Sequence, residues 1–416
     1  PTSGRVIRLQ LRRARAYPDS HDGRRTMSGV RYDLIVIGCG IHGAGVAQAA
    51  AAAGHSVLLL EKTAPAAGTS SRSSKLIHGG LRYLETGQFG LVREGLRERE
   101  LLLRIAPRLV RRLPILIPVY NDSRHSPAQV RAGLTLYALF AGLAPAVRFR
   151  EVKDRGPELL GGLRQDGLRA VFRYQDAQTD DAALTRAVLA SALRLGAVLL
   201  NPAMLERATR EAAGYRVVYR YQGREHSGHC TVLVNAAGPW VNAVQARIDP
   251  APPQLDITLV QGTHVHYSEP LSEDAFYVES PADRRPVFLL PWRSGTLVGT
   301  TETLFSGDPD GVRVLPDEQA YLDDTLRHYF PNYRGHGLSS MAGLRVLPQS
   351  GGPLLMRRRE TVLSPDDPRR PHLVAVYGGK LTAYRSTAAR LMRLVRAGLP
   401  ERSSKAHTSE LVLEPD

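Results

Sequence analysis

The 416-residue sequence has two cysteines, two tryptophans, few lysines and no long apolar run. Cys39 and Cys230 cannot build a disulfide framework or a cysteine-based metal cluster, so no metal is expected. Two thiols suit a reducing compartment, which makes the cytoplasm the expected location. A helix that spans a bilayer needs about 20 apolar residues. The longest candidate, Leu134 to Val147, has 14 and is nearer a core helix or an interfacial segment. Internal repeats are absent, as are low-complexity tracts beyond the first 26 residues. The sequence carries no nucleic-acid-binding motif, and its arginines are spread rather than clustered, so nucleic acid is not an expected partner.

What is there is arginine. The formal charge is +15, and the only lysines are Lys62, Lys75, Lys153, Lys380 and Lys405. A chain this basic suits nucleic acid, anionic lipid or an acidic small molecule, and the first of these is already disfavoured. Residues 1–26 hold seven arginines against Asp19 and Asp22. Met27 then opens Met-Ser-Gly-Val-Arg-Tyr-Asp just before the first predicted strand. Residues 1–26 therefore read as an over-extended start or a disordered leader. They lack the apolar region of a secretory signal, whereas a transit peptide stays open. Length and an apolar content of 43% allow two domains with a substantial core.

Residues 32–37 form a short apolar run that ends in glycine and predict a buried parallel strand. Gly38-Cys39-Gly40-Ile41-His42-Gly43 follows, then an alanine-rich helix to about Ala53 and a second strand over 56–61. This is a βαβ unit with the dinucleotide fingerprint. In it Gly38 makes the tight turn, Gly40 lets backbone approach a pyrophosphate, and Gly43 lets helix pack on strand. Glu61 stands where a ribose-binding acid is expected, which argues against a 2′-phosphate but leaves NAD and FAD open. Residues 66–84 read as a loop, 89–109 as a helix, and 110–175 as irregular with scattered prolines. Asp180 and Asp181 open a helix to about Leu195 and read as caps rather than catalysts. Strands follow at 198–200, 215–221 and 231–235, then short antiparallel strands from 255 to 301 and a helix after Pro316. A last buried strand over 373–377 runs into Gly378-Gly379-Lys380-Leu381-Thr382 and a helix to about Arg396.

Three further segments carry chemistry. Thr69-Ser70-Ser71-Arg72-Ser73-Ser74-Lys75-Leu76-Ile77-His78-Gly79-Gly80-Leu81-Arg82-Tyr83-Leu84 follows the second strand, at the cofactor edge of such a unit. Asn235-Ala236-Ala237-Gly238-Pro239-Trp240 ends a strand in small residues that let a dinucleotide come close. Lys380, a lysine in a chain that uses arginine almost everywhere, follows two glycines at a predicted helix start.

Together with Asp176-Ala177-Gln178-Thr179-Asp180-Asp181, Gly262-Thr263-His264 and residues 378–385, these segments resemble FAD-dependent glycerol-3-phosphate dehydrogenases. They resemble the related glycerol-3-phosphate oxidases almost as well; both belong to the D-amino-acid-oxidase-like flavoproteins. The resemblance runs in order from about Tyr32 to about Arg396, and residues 73–85 are its most specific part. It implies an α/β fold: a Rossmann-type FAD-binding domain and a second, mostly antiparallel β-sheet substrate domain. The first would take residues 27–110, 170–250 and 340–400, the second 111–169 and 251–339, with 401–416 as a tail.

The resemblance also implies FAD held by Gly38, Gly40, Gly43, Glu61, Lys62, Ser70, Ser71, Lys75, Leu76, His78, Gly79, Ala236, Gly238, Trp240, Gly343, Gly379, Lys380, Leu381 and Thr382. It implies oxidation of sn-glycerol 3-phosphate to dihydroxyacetone phosphate. Arg82, Arg345 and Lys380 would be the cations around substrate and flavin, Tyr83 would hydrogen-bond the substrate, and His78 and His264 would lie near the reacting carbon. General chemistry fits these roles. A phosphate dianion suits arginine forks. A histidine suits the hydroxyl proton, with His78 favoured as base. A lysine at a helix start suits negative charge on reduced flavin. The sequence departs from the family after Arg345, where Val346-Leu347-Pro348 replaces the usual Arg-Pro-Leu, and residues 268–286 and 350–370 match poorly.

The expected electron acceptor is a quinone, with peripheral contact of the basic surface on anionic lipid at the inner face of the membrane. A homodimer stays open. The alternatives are an oxidase that uses oxygen, another flavin oxidase of the same fold acting on an amine or 2-hydroxy acid, a basic flavin-binding module that binds nucleic acid without redox chemistry, and an enzyme that keeps FAD but has lost activity. The second alternative also pairs a substrate carboxylate with arginine, but the string from Lys75 to Tyr83 argues against it.

Overall fold

The computed structural model describes residues 29–142, 148–153, 160–348 and 360–415. The expected leader, residues 1–26, lies outside the described residues, as do the last five of the 134–147 apolar run.

The described chain forms two mixed sheets. The first is built on β1 (Arg31–Ile37), α1 (Ile41–Ala52) and β2 (Val57–Leu60). All four residues of β2 and the last six of β1 are buried, as parallel strands covered on both faces require. Next come β3 (Leu76–Ile77), α2 (Phe89–Ile105), β4 (Val110–Tyr120), α3 (Pro127–Phe140), β5 (Arg150–Glu151), β6 (Leu168–Thr179) and α4 (Asp181–Arg194). The chain returns to the first sheet with β7 (Val198–Leu200), β8 (Ala203–Glu211), β9 (Gly214–Tyr221), β10 (Arg224–Asn235), α5 (Val241–Gln245) and β11 (Ile248–Asp249). It then builds β12 (Ile257–Tyr267), β13 (Ala275–Glu279), β14 (Pro286–Trp292), β15 (Gly295–Gly299), β16 (Thr303–Phe305), α6 (Pro316–Tyr329) and β17 (Gly337–Pro348). It closes with β18 (Val362–Pro365), β19 (Leu373–Tyr377) and α7 (Tyr384–Val395).

In the first sheet β7, β2, β1, β10 and β19 run parallel side by side. Ile37 pairs with both Leu60 and Asn235, and Asn235 with Ala375, so these strands end at one edge. The loops that leave this edge start at Gly38, Glu61, Ala236 and Gly378. β10 begins seven residues before the predicted strand because its first half pairs antiparallel with β9 before its second half joins β1. α1 packs against α4 and α7, its alanines giving the close approach; Gln48 donates to Ser191 Oγ at 2.9 Å across this contact.

The second sheet runs β16-β12-β15-β14-β13-β4-β6-β3, with β17 on β12 and β5 on β6. The expectation of irregular structure over 110–175 is corrected here. β4 and β6 pair from Val110 with Thr179 to Tyr120 with Leu168, and α3 lies between them with a Ser126–Gln129 capping box. The prolines of β4, Pro114 and Pro118, are four apart, so their missing N–H groups fall on one edge. β13 pairs with β4 only at Ile115 and Leu116. The 134–140 part of the apolar run is the end of α3, with Leu134, Tyr137 and Ala138 buried and Leu139 exposed. No described helix is long and apolar enough to cross a membrane.

Sheet membership moves the division drawn from sequence. Residues 76–77, 170–179 and 340–348 belong to the second sheet rather than the first, because the segments that carry motifs cross between the two.

Candidate active site

A cavity of about 760 Å³ opens at the shared edge of the parallel strands and is lined on its other side by strands of the second sheet. Its first wall is the glycine loop. Gly38 has φ +95°, and a Cβ there would meet Ala236 O at 2.8 Å, so only glycine lets β1 turn beside β10. Gly43 is not in the wall; a Cβ there would strike Gly38 O at 1.9 Å, which makes it the packing glycine of the fingerprint. The N-terminus of α1 faces the cavity, where its N–H groups favour an anion. Cys39 N–H donates to Glu61 Oε2 and Thr63 N–H to Glu61 Oε1, both at 2.8 Å, which aims the carboxylate along the cavity. Ile41 N–H donates to Ser70 Oγ at 2.9 Å and so ties the fingerprint to the serine-rich loop.

At the Glu61 end, Lys62 Nζ lies 4.0 Å above the Trp240 ring and 2.7 Å from both Asp310 carboxylate oxygens. Trp240 Nε1 is buried without a hydrogen-bond partner. Ala236 and Gly238 line this end as expected; Met204, Arg247 and Asp310 line it too and were not anticipated.

At the other end the loop over 69–84 meets β12, β17 and the turn after β19. Ser70, Leu76, His78, Arg82 and Tyr83 line the cavity, with Gly343, Arg345, Gly379, Lys380, Leu381 and Thr382 opposite. Besides Gly43, three expected cofactor residues do not line it. Ser71 Oγ donates to Gly68 O within its own turn. Gly79 packs where a Cβ would meet Leu96 and Tyr137 OH at 2.7 Å. Lys75 is buried and donates to Asp181 Oδ1 at 2.6 Å and to Ser71 O at 2.7 Å. Asp181 also accepts from Ser73 N–H and Oγ, so the pair pins the loop to the start of α4. Asp180 is the N-cap of α4, accepting from Ala183 N–H at 3.0 Å.

Gly80 has φ +81°, and a Cβ there would lie 2.2 Å from the Tyr83 ring, so this glycine lets Tyr83 fold back over the loop. Lys380 Nζ sits 3.7 Å above that ring, and His78 N–H donates to Thr382 Oγ1 at 3.1 Å. Arg345 Nη1 donates to Glu302 Oε1 at 2.7 Å, and Arg82 Nη2 lies 3.8 Å from the same oxygen. Arg345 thus points into the cavity despite the altered residues after it.

His264 on β12 is buried, with Nε2 2.9 Å from Ser74 Oγ and Nδ1 without a partner. Burial, followed by the charges of Arg345 and Lys75, pushes its pKa down to about 3, so it is neutral at pH 7. His42 in the fingerprint also lines the cavity. Both of its ring nitrogens are buried without partners, and burial with the charge of Arg390 lowers its pKa to about 4. Gly379 lies against it; a Cβ there would be 1.9 Å from His42 Nε2. His42 was not singled out from the sequence, where it stands only as one residue of the fingerprint string. Sequence reasoning also missed Glu302, Arg285, Tyr277 and Phe288, whose approach depends on strand pairing far along the chain.

The elongated cavity fits a dinucleotide. It offers a helix N-terminus midway, a carboxylate and an indole at one end, and partnerless buried nitrogens of His42, Trp240 and His264 along its length. Comparison with known proteins agrees. Residues 33–385 match the DAO family, FAD dependent oxidoreductase. The chain is 36% identical over 378 residues to D-erythritol 1-phosphate dehydrogenase of Brucella abortus, spanning 89% of this chain and 74% of that protein. It is 37% identical over 365 residues to glycerol-3-phosphate dehydrogenase of Pseudomonas aeruginosa, spanning 86% and 70%. The structure of glycerol-3-phosphate dehydrogenase from Bacillus halodurans complexed with FAD superposes with a TM-score of 0.69 at 27% identity, over 92% of this chain and 68% of that one. The chain therefore belongs to the DAO family of FAD-dependent oxidoreductases.

Proposed function

We propose that this enzyme oxidises sn-glycerol 3-phosphate to dihydroxyacetone phosphate and passes the electrons to a quinone. The observation that carries this reading is the meeting of Arg82 and Arg345 on one carboxylate oxygen inside the cofactor cavity. Two guanidinium groups converging on one anion are a phosphate-binding arrangement. The relatives at 36% and 37% identity are named for phosphorylated polyols.

In this reading Arg82 and Arg345 hold the phosphate, and Tyr83 orients the carbon chain. FAD, when bound, supplies the hydride acceptor. Gly38, Gly40 and the start of α1 would hold its pyrophosphate, and Glu61 its ribose. His78 takes the hydroxyl proton. His264 is the weaker base because burial and two cations oppose its protonation, and it serves as a neutral hydrogen-bonding partner beside Ser74. Lys380 would offset negative charge that develops during the transfer. The basic surface suits anionic lipid at the inner face of a membrane, where a quinone is found.

D-Erythritol 1-phosphate is a second candidate substrate, favoured by the Brucella relative. The test is the anaerobic visible spectrum of the holoenzyme before and after addition of each polyol phosphate. Bleaching by glycerol 3-phosphate, and faster recovery with a quinone analogue than with oxygen, is expected. Bleaching only by the four-carbon substrate would reassign the substrate, and recovery with peroxide formation would make the enzyme an oxidase.

A further inference from the structure

Glu302 lies in the cavity wall between β15 and β16 with its side chain 10% exposed, and neither the fingerprint nor the family motifs point to it. Its setting is built. Thr301 Oγ1 and Thr303 Oγ1, on either side of it, each donate to Glu318 Oε1 at 2.8 Å. Gln261 Nε2 and Thr263 Oγ1 donate to Glu318 Oε2 at 2.6 Å. Burial alone would raise the Glu318 carboxyl, but the hydrogen bonds from Thr263, Thr303, Gln261 and Thr301 hold it below its ordinary value, as a fixed anion. The Glu302 backbone carbonyl accepts from Arg285 Nη1 at 2.8 Å. From this held backbone the side chain reaches Arg345 at 2.7 Å and Arg82 at 3.8 Å with the same oxygen.

We propose that Glu302 is an internal counter-anion: it occupies the Arg82–Arg345 clamp between turnovers, yields it to the substrate phosphate, and reclaims it as product leaves. The inference rests on the reading that these arginines bind phosphate. A tethered carboxylate competes with every free anion alike, so it lowers the affinity of the clamp by one common factor. Weakly bound monoanions, such as carboxylates and chloride, then fall below useful occupancy. A phosphate with two charges still binds, and its product is displaced by a group already in place. A purely structural Glu302, one that only aims Arg345, has the opposite consequence, because its loss would loosen every anion.

The experiment is calorimetric titration of the holoenzyme with inorganic phosphate and, separately, with D-lactate, for the wild type, Glu302→Gln and Glu302→Ala. Retained flavin absorbance and an unchanged unfolding midpoint would show that each variant is folded. Both variants are expected to bind both anions about tenfold more tightly by a similar factor, the weight of a charged hydrogen bond. In turnover, KM and kcat are expected to fall together as product is retained. Unchanged or weaker phosphate binding in the variants, with normal binding in the wild type, overturns the counter-anion role alone. Absence of phosphate binding in all three proteins overturns the phosphate reading and this proposal with it.

Discussion

The ammonium of Lys380, 3.7 Å above the Tyr83 ring, joins the turn after β19 to the loop over 69–84. A half-buried cation held against an aromatic face is partly desolvated, which strengthens its effect on nearby charge. Lys380→Met keeps most of the stem and removes the charge. Flavin reduction by glycerol 3-phosphate, followed by stopped flow, is expected to slow on the order of 100-fold, while FAD content stays at one per chain. Loss of FAD instead would make Lys380 a residue of cofactor retention. Lys75, another of the five lysines, forms a buried ion pair outside the cavity wall. A rare residue type thus marks a position under constraint, and only the surroundings tell chemistry from architecture. Glu302 shows the converse. One of 40 acidic residues, it becomes notable only when pairing of β12 with β16 and β17 sets it beside Arg345.

Elements with one strong local signal were readable from sequence. β1, α1 and β2 follow from an apolar run, a glycine turn and alanine spacing, and β19 follows from five apolar residues before two glycines. β4 was hidden by its prolines, and β8 by the adjacent charges Glu206-Arg207 and Arg210-Glu211, which break its apolar alternation. Both are defined by partners instead, β6 and β9 respectively. The loop over 69–84 is intermediate: its composition suggested a cofactor loop, but its shape depends on α4. Lys75 and Asp181 are both almost fully buried and lie 2.6 Å apart. Breaking such a pair leaves an uncompensated charge and costs about 3–5 kcal/mol. Lys75→Met is therefore expected to destabilise the protein to urea by about that much and to weaken FAD binding through loss of the loop. Lys75→Met combined with Asp181→Asn should recover part of the stability, because no buried charge is then left alone. A double variant no better than the single one would mean that the hydrogen bonds of Asp181, rather than its charge, hold the loop.

At the scale of the whole molecule the cavity draws on segments from residue 37 to residue 382, which explains why motifs were legible while their arrangement was not. Its two halves share a further property: each buries a histidine held neutral. His42 sits at the start of α1 and His264 in β12, with pKa values of about 4 and about 3 against an ordinary 6.5. Above pH 6.5 both are neutral whether the chain is folded or unfolded, so neither affects stability. Below that value the unfolded chain takes up protons that the folded one refuses, and stability falls as pH falls. Each histidine contributes a slope of up to about 1.4 kcal/mol per pH unit until its folded pKa is reached. The loss thus begins well above the range in which carboxylates such as Glu318 titrate. The urea midpoint of the holoenzyme should therefore drop steadily from pH 6.5 to 4.5. His264→Gln and His42→Asn should each flatten that slope by about one proton's worth, whatever they do to stability at pH 7. A wild-type midpoint that stays level to pH 4.5 would mean that the folded protein admits those protons. His42 and His264 would then be charged beside Arg390 and Arg345, and the neutral role given to His264 would fail.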